Sequence, residues 1–155
     1  MSAETITTAL FLITAVIAAG VLINAVYPVV YNMAGTFSSA THESDVRMRT
    51  DFKVIATAGS GSAANIWMKN IGSERIQEAE IQNGDVFFGE TGNFDRIEYG
   101  DWTYQLSDTN SNNIWDSGET VKITITGVSL SSGHEYYFQF SLPNGVWRSD
   151  TFTAS

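Results

Sequence analysis

No charged or imidazole side chain occurs between Glu4 and His42, and within that span Ile6–Val26 reads ITTALFLITAVIAAGVLINAV. A helix over this stretch is roughly 31 Å long, about the thickness of a bilayer's hydrocarbon core. Lipid offers backbone groups no hydrogen-bond partner, and a helix satisfies its interior groups within the segment. The stretch therefore predicts a helix that crosses a membrane or packs in a bundle of its own kind. The MSAE start has no positive flank, and the apolar run exceeds the roughly 7–15 residues of a signal-peptide core. Both favour a retained helix over a cleaved one, although Ser38-Ser39-Ala40 offers the small residues a signal peptidase uses.

Ala15 and Ala19 form one small-xxx-small pair and Thr14 and Ala18 another, with Gly20 beside them. Small residues at this spacing let helices approach closely. Ala15, Ala18, Ala19 and Gly20 are thus the candidate contacts for a homo-oligomer formed through N-terminal helices. Tyr27 and Tyr31 follow where an interfacial aromatic belt would lie. Pro28 removes a backbone donor and predicts a bend around Asn24–Pro28. From Val29 to Thr50 the text becomes mixed, with Val30, Ala34, Phe37, Thr41 and Met48 near helical spacing. It predicts a continuing amphipathic stalk, weakened by Gly35 and Ser38-Ser39. Residues 1–50 are read as anchor and stalk, and 51–155 as a separate domain.

After Asp51 the period changes to two. Phe52, Val54 and Ala56 alternate with Lys53, Ile55 and Thr57, and Ile66 and Met68 with Trp67, Lys69 and Ile71. Val121, Ile123 and Ile125 face away from Lys122, Thr124 and Thr126, and Tyr136, Phe138, Phe140 and Leu142 share one face. Asn144-Gly145 before Val146–Thr153 predicts a hairpin in which both residues take positive φ. Shorter strands are expected at Ala79–Gln82, Asp85–Phe88, Phe94–Tyr99 and Trp102–Leu106. The fold class is α+β: a long N-terminal hydrophobic helix followed by an antiparallel, immunoglobulin-like β-sandwich of seven to nine strands.

A net charge of -9 argues against nucleic acid as a partner, because little here neutralises phosphates. The absence of cysteine removes disulfides, thiolate metal sites and cysteine nucleophiles. No G-x-S-x-G, H-E-x-x-H or phosphate-binding glycine loop occurs, His42 and His134 lack partners at a recognisable spacing, and the chain is read as no enzyme. Glu78 and Glu80 would share one strand face, which reads as a solvated edge before it reads as a glycosidase pair.

One constellation stands out, Asp108-Thr-Asn110-Ser-Asn112-Asn-Ile114-Trp-Asp116-Ser-Gly118-Glu119. Oxygen side chains fall at positions 1, 3, 5, 9 and 12 of a twelve-residue calcium loop, with the Ile114 carbonyl at 7. Hard divalent cations take six to eight oxygens, and alternate positions of a tight coil point to one centre. Asp108, Asn110, Asn112, Ile114, Asp116 and Glu119 are the candidate ligands for Ca2+. Position 6 is Asn113 where glycine is usual, and Asn is enriched at the positive φ this turn needs. Millimolar extracellular calcium suits such a loop and places the domain outside the cell. Arg47, Arg49 and Lys53 on the C-terminal side of the helix point the other way by the positive-inside rule.

MSAETITTALFLITAVIAAGVLINAVYP, MAGTFSSATHESDVRMRTDFK, IWMKNIGSERI, DTNSNNIWDSGETVKITI and the FQFSLPNGVWRSDTFTAS tail together span most of the chain. In these stretches the chain resembles the archaeal flagellar protein G family of the archaellum. That resemblance implies a single-pass helix in the archaeal cell membrane and a β-sandwich in the pseudoperiplasm. It also implies an accessory role: with archaeal flagellar protein F, holding the static part of the rotary motor against the surface-layer protein in support of swimming. Two alternatives stand beside it. Archaellins and pilin-like filament subunits share the helix-plus-sandwich plan but carry a basic leader, and this chain starts almost directly on its apolar run. A membrane-tethered, calcium-dependent adhesion module would expose Trp67, Trp102, Trp115 or Trp147 along one face.

Overall fold

The computed structural model describes residues 2–155. The chain divides into two units, Met1–Glu43 and Ser44–Ser155. The division falls eight residues before the change of hydrophobic period, because the last turn of the N-terminal helix is fastened to the β-strand unit. Arg49 forms ion pairs with Asp45 and Glu74, at 3.1 and 3.0 Å. The Arg49 carbonyl also accepts the backbone N–H groups of Ser73 and Glu74.

Helix α1 runs from Ala3 to Arg49 without interruption and has no buried residue. It is long and apolar enough to cross a membrane. The stalk expected from Val29 onward is helical throughout, through Pro28, Gly35 and Ser38-Ser39. Hydroxyls within it bond back one turn: Thr14 to the Leu10 carbonyl at 2.8 Å, and Thr7, Thr8, Thr36, Ser39 and Thr41 likewise. A threonine so satisfied adds little polarity to an apolar surface. Tyr27 and Tyr31 lie side by side, ring centroids 5.9 Å apart.

In the second unit the strands are β1 (Phe52–Ser60), β2 (Ala63–Asn70), β3 (Ile76–Gln77), β4 (Asp85–Glu90), β5 (Asn93–Ile97), β6 (Trp102–Ser107), β7 (Ile114–Trp115), β8 (Thr120–Thr126), β9 (Glu135–Ser141) and β10 (Trp147–Thr153). They form two four-stranded sheets, ordered β1-β2-β8-β6 and β10-β9-β4-β5, with β3 and β7 as a separate short pair. Every ladder is antiparallel. Inward side chains of the two sheets, among them Ile66, Met68, Ile123 and Ile125 from one and Val86, Phe88, Phe138 and Phe140 from the other, share one buried core. The rings of Phe52 and Trp102 reach Phe140 across it, at 5.8 and 6.2 Å. The α+β class, with a long helix before an antiparallel sandwich, is therefore as the sequence predicts.

Three local expectations differ. Ala56 does not share a face with Phe52 and Val54, because Val54 pairs with Met68 but Ala56 with Trp67. Ile55 is the extra residue of a bulge, and one extra residue reverses the parity of everything after it. Ala79–Gln82 is not a strand but part of a short helix, α2 (Glu78–Gln82). Glu80 reaches back to accept the Gln77 backbone N–H at 2.8 Å, a capping contact that fixes the first turn. The hairpin at Asn144-Gly145 forms, but only Gly145 has positive φ, at 81°. The Gly145 N–H bonds the Leu142 carbonyl at 2.9 Å, so Pro143 and Asn144 are the central residues of the turn and Gly145 the bulge that follows. Proline's fixed φ suits the first of those positions.

Candidate functional site

The loop Asp108–Glu119 joins the neighbouring strands β6 and β8, whose ladder closes with Ser107 opposite Thr120. Its first carboxylate organises the turn. Asp108 Oδ1 accepts the backbone N–H groups of Asn110 and Ser111 at 3.0 and 2.7 Å, and Oδ2 that of Asn113 at 2.8 Å. Burial pushes the Asp108 carboxyl up, but the N–H bonds from Asn113, Asn110, Ser111 and Asn112 together outweigh it and hold it below the usual carboxylate range. Ser111 and Asn113 take left-handed φ of 60° and 56°, so Asn113 supplies the conformation expected of it.

The second carboxylate gathers the side chains. Asp116 Oδ2 accepts both the Asn110 and the Asn112 amide, at 2.9 and 2.8 Å. Asp116 Oδ1 takes the Arg75 guanidinium Nε at 2.7 Å. The Arg75 bond, then the two amides, draw the Asp116 carboxyl down to about 2. The third carboxylate is buried. Glu119, 7% exposed, accepts Thr109 N–H and Oγ1–H at 2.8 and 2.6 Å, and the Asp116 N–H at 3.1 Å.

Of the six residues read as ligands, Asn110, Asn112 and Asp116 thus converge through their side chains. Asp108 directs its oxygens at backbone N–H groups and Glu119 at two N–H groups and the Thr109 hydroxyl, and the Ile114 carbonyl accepts the N–H of Asp116, just past β7. Among the described residues no three acidic or imidazole side chains form a metal-holding group, and no buried side-chain nitrogen or oxygen lacks a hydrogen-bond partner. The donor set, three carboxylates and two amides on one coil, has the chemistry a hard cation takes. The two amides present N–H to Asp116 while their oxygens accept the backbone N–H groups of Asn112 and Ile114, at 3.2 and 2.8 Å, so presenting oxygen to a cation would exchange those bonds for the ion.

Two residues essential to this loop stand outside the ligand pattern. Trp115 is fully buried, packs on Phe52 at 5.6 Å and donates its indole N–H to the Glu119 carbonyl at 2.9 Å. Asn70, also fully buried, donates its amide to the carbonyls of Glu74 and Trp115, each at 2.9 Å, and accepts Gly72 N–H. A signal for Asn70 existed: it has the parity of Ile66 and Met68 and so points inward, where a polar group needs partners.

Other candidates resolve as structure. Glu78 and Glu80 lie on α2 with separate partners, Glu80 capping the helix and Glu78 accepting the Tyr104 hydroxyl at 2.6 Å. Burial, then the bond to Glu78, raises the Tyr104 phenol above its ordinary value. Trp102 and Trp115 are core residues, and of the four tryptophans only Trp147 is mostly exposed. That removes the aligned tryptophan face an adhesion module would need.

The family model for archaeal-type flagellin matches residues 2–152. The chain belongs to the archaeal-type flagellin family. Among solved structures, this flagellin-family chain is similar to the archaellum periplasmic stator protein FlaG from Sulfolobus acidocaldarius, at 28% identity and a TM-score of 0.57, covering 66% of this chain and 99% of that one. It also matches the stator protein complex of FlaF and FlaG from the same organism, at 26% identity and a TM-score of 0.55, covering 65% and 87%. A relative in Archaeoglobus fulgidus, called only an uncharacterized protein, is 26% identical over 161 residues, 99% of each chain. The sequence resemblance to the flagellar protein G family and these comparisons agree.

Proposed function

We propose that this chain is a structural accessory protein of the archaellum that anchors the static part of the rotary motor to the cell envelope. The observation that carries this reading is the match of 66% of this chain to 99% of the solved chain of a periplasmic stator protein. In this reading α1 is a single-pass membrane anchor, self-associated through Ala15, Ala18, Ala19 and Gly20. The β-domain lies outside the membrane and engages an FlaF-type partner and the surface-layer protein. The solved FlaF–FlaG complex supports the first of those partners. Gene deletion tests the role: cells should keep assembled filaments but lose rotation, and normal swimming would rule it out. Orientation is testable separately. The chain has no cysteine, so Ser149→Cys on exposed β10 gives a single labelling position, expected to react with an impermeant maleimide on intact cells.

The family itself favours a second reading, a subunit of the filament. Deletion would then remove filaments altogether, and electron microscopy of the mutant separates the two outcomes.

We further propose that Asp108, Asn110, Asn112, Asp116 and Glu119, with the Ile114 carbonyl, hold Ca2+ as a structural ion. Support comes from the ligand spacing and from the left-handed residue at loop position 6. Calcium-dependent melting is the test.

A further inference from the structure

The sandwich has four sheet edges, and three are covered or carry charge. β1 lies against β10, and its Gly59 carbonyl accepts the Ser155 N–H. β10 carries Arg148 and Asp150, and β5 carries Asp95, which opposes buried Phe88 and so stands on the inward face. Charges along an edge, above all inward ones, discourage another strand from pairing there. β6 differs. Trp102–Ser107 holds no charged residue and ends its sheet; among the described residues its only backbone pairing beyond β8 is the single bridge from Tyr99, and its Tyr104 hydroxyl meets Glu78 and Gln82 of α2.

Along β6 runs a groove of about 450 Å³ lined by Tyr99, Tyr104, Leu106, Glu78, Asp108 and Asn113. Tyr104 and Leu106 are half-buried at alternate positions, as a strand in the groove would find its side-chain contacts. The rim is acidic, and among the described residues neither Glu78 nor Asp108 pairs with a lysine or arginine.

We propose that β6 is a strand-addition site for an extended, lysine- or arginine-bearing segment of a partner protein, which pairs with the β6 backbone and sets a cation against Glu78. Main-chain bonds supply affinity in such sites and alternate side chains the selection. The acidic rim on a chain of net charge -9 disfavours a second copy as the occupant.

The test uses the full-length chain in detergent and an acetylated heptapeptide alternating lysine with valine. Expected are saturable binding, hydrogen-exchange protection confined to amides 103–107 and α2, and at least tenfold weaker binding by Glu78→Lys. A peptide N-methylated at alternate residues, which cannot complete the ladder, should lose binding by a similar factor. No binding at millimolar peptide overturns the proposal. So does protection located elsewhere, equal binding of the N-methylated peptide, or concentration-dependent protection of 103–107 without peptide, which would make a second copy the occupant.

Discussion

Arg75 and Asp116, 41 positions apart, meet through a 2.7 Å contact from Nε to Oδ1 that ties the loop between β6 and β8 to the segment entering β3. This bond, reinforced by the Asn110 and Asn112 amides, holds the Asp116 carboxyl at about 2 in the folded chain. A carboxyl whose folded value lies below its unfolded one contributes stability above the unfolded value and loses it as pH falls through the folded one. The window therefore runs from about pH 4 down to about pH 2. Asp116→Asn lacks this contribution, so its melting temperature should fall less steeply than the parent's across that window. Parallel slopes would refute the assignment.

Glu119 makes a different prediction because it is buried and accepts three hydrogen bonds. Glu119→Ala leaves the Thr109 N–H and hydroxyl without their acceptor, whereas Asp116 N–H keeps the Ile114 carbonyl, and an unsatisfied group costs about 1–3 kcal/mol. Urea denaturation without metal should show a loss of about 2–3 kcal/mol, partly restored in Glu119→Gln, whose amide oxygen can still accept from Thr109. An alanine variant within about 0.5 kcal/mol of the parent would mean that the network contributes nothing.

Much of this arrangement was legible beforehand, and the failures have physical causes. Val121–Thr126 and Tyr136–Leu142 alternate cleanly because both strands lie at the middle of their sheets with one face in the core. β1 misled at Ile55 because a bulge leaves no mark in composition, only a reversed parity downstream. α2 is five residues long, too short for a helical period to outweigh an alternating one, and its capping contact from Glu80 is the only local cue. Within the loop the oxygen spacing was readable. Nothing local, however, told that Trp115 is core, since its burial depends on Phe52, 63 residues earlier in the chain.

Gly72 sits where the end of α1 meets the turn after β2. A Cβ there would collide with the Arg49 carbonyl oxygen and lie 2.5 Å from the Asp51 nitrogen, both backbone atoms. Backbone cannot swing aside as a side chain can, so Gly72→Ala should destabilise by about 1–3 kcal/mol or more. Exposed Ser73→Ala beside it should stay within about 0.5 kcal/mol. Equal midpoints in urea for the two variants would show that the helix end is not packed against this turn.

The apolar helix predicts association in a membrane. Gly20 and Ala19 leave room for a neighbouring backbone, and Asn24 makes no side-chain hydrogen bond among the described residues that would satisfy it within the helix. Gly20→Ile should at least halve the signal of a reporter of helix association in a bacterial membrane, and Asn24→Leu should reduce it. Leu10→Ile, away from the small residues, should leave it unchanged. Similar signals from all three would exclude a small-residue interface.

Calcium supplies the last test, and it distinguishes a bound ion from a loop held by hydrogen bonds alone. If the cation binds, the melting temperature of the full-length chain rises with calcium in the manner of any ligand that prefers the folded state. At a concentration 100 times the dissociation constant the stabilisation is about 2.7 kcal/mol. Magnesium, smaller and reluctant to give up water, should produce much less. Asn110→Ala with Asn112→Ala removes two amide oxygens and leaves all three carboxylates. It also removes the acceptors of the Asn112 and Ile114 N–H groups, so the variant should start from a lower calcium-free melting temperature and show a smaller further rise with calcium than the parent. An unchanged melting temperature in parent protein between chelator and about 10 millimolar calcium, roughly ten times the dissociation constant of the weakest extracellular sites, would leave Asp108–Glu119 as a hydrogen-bonded loop without an ion.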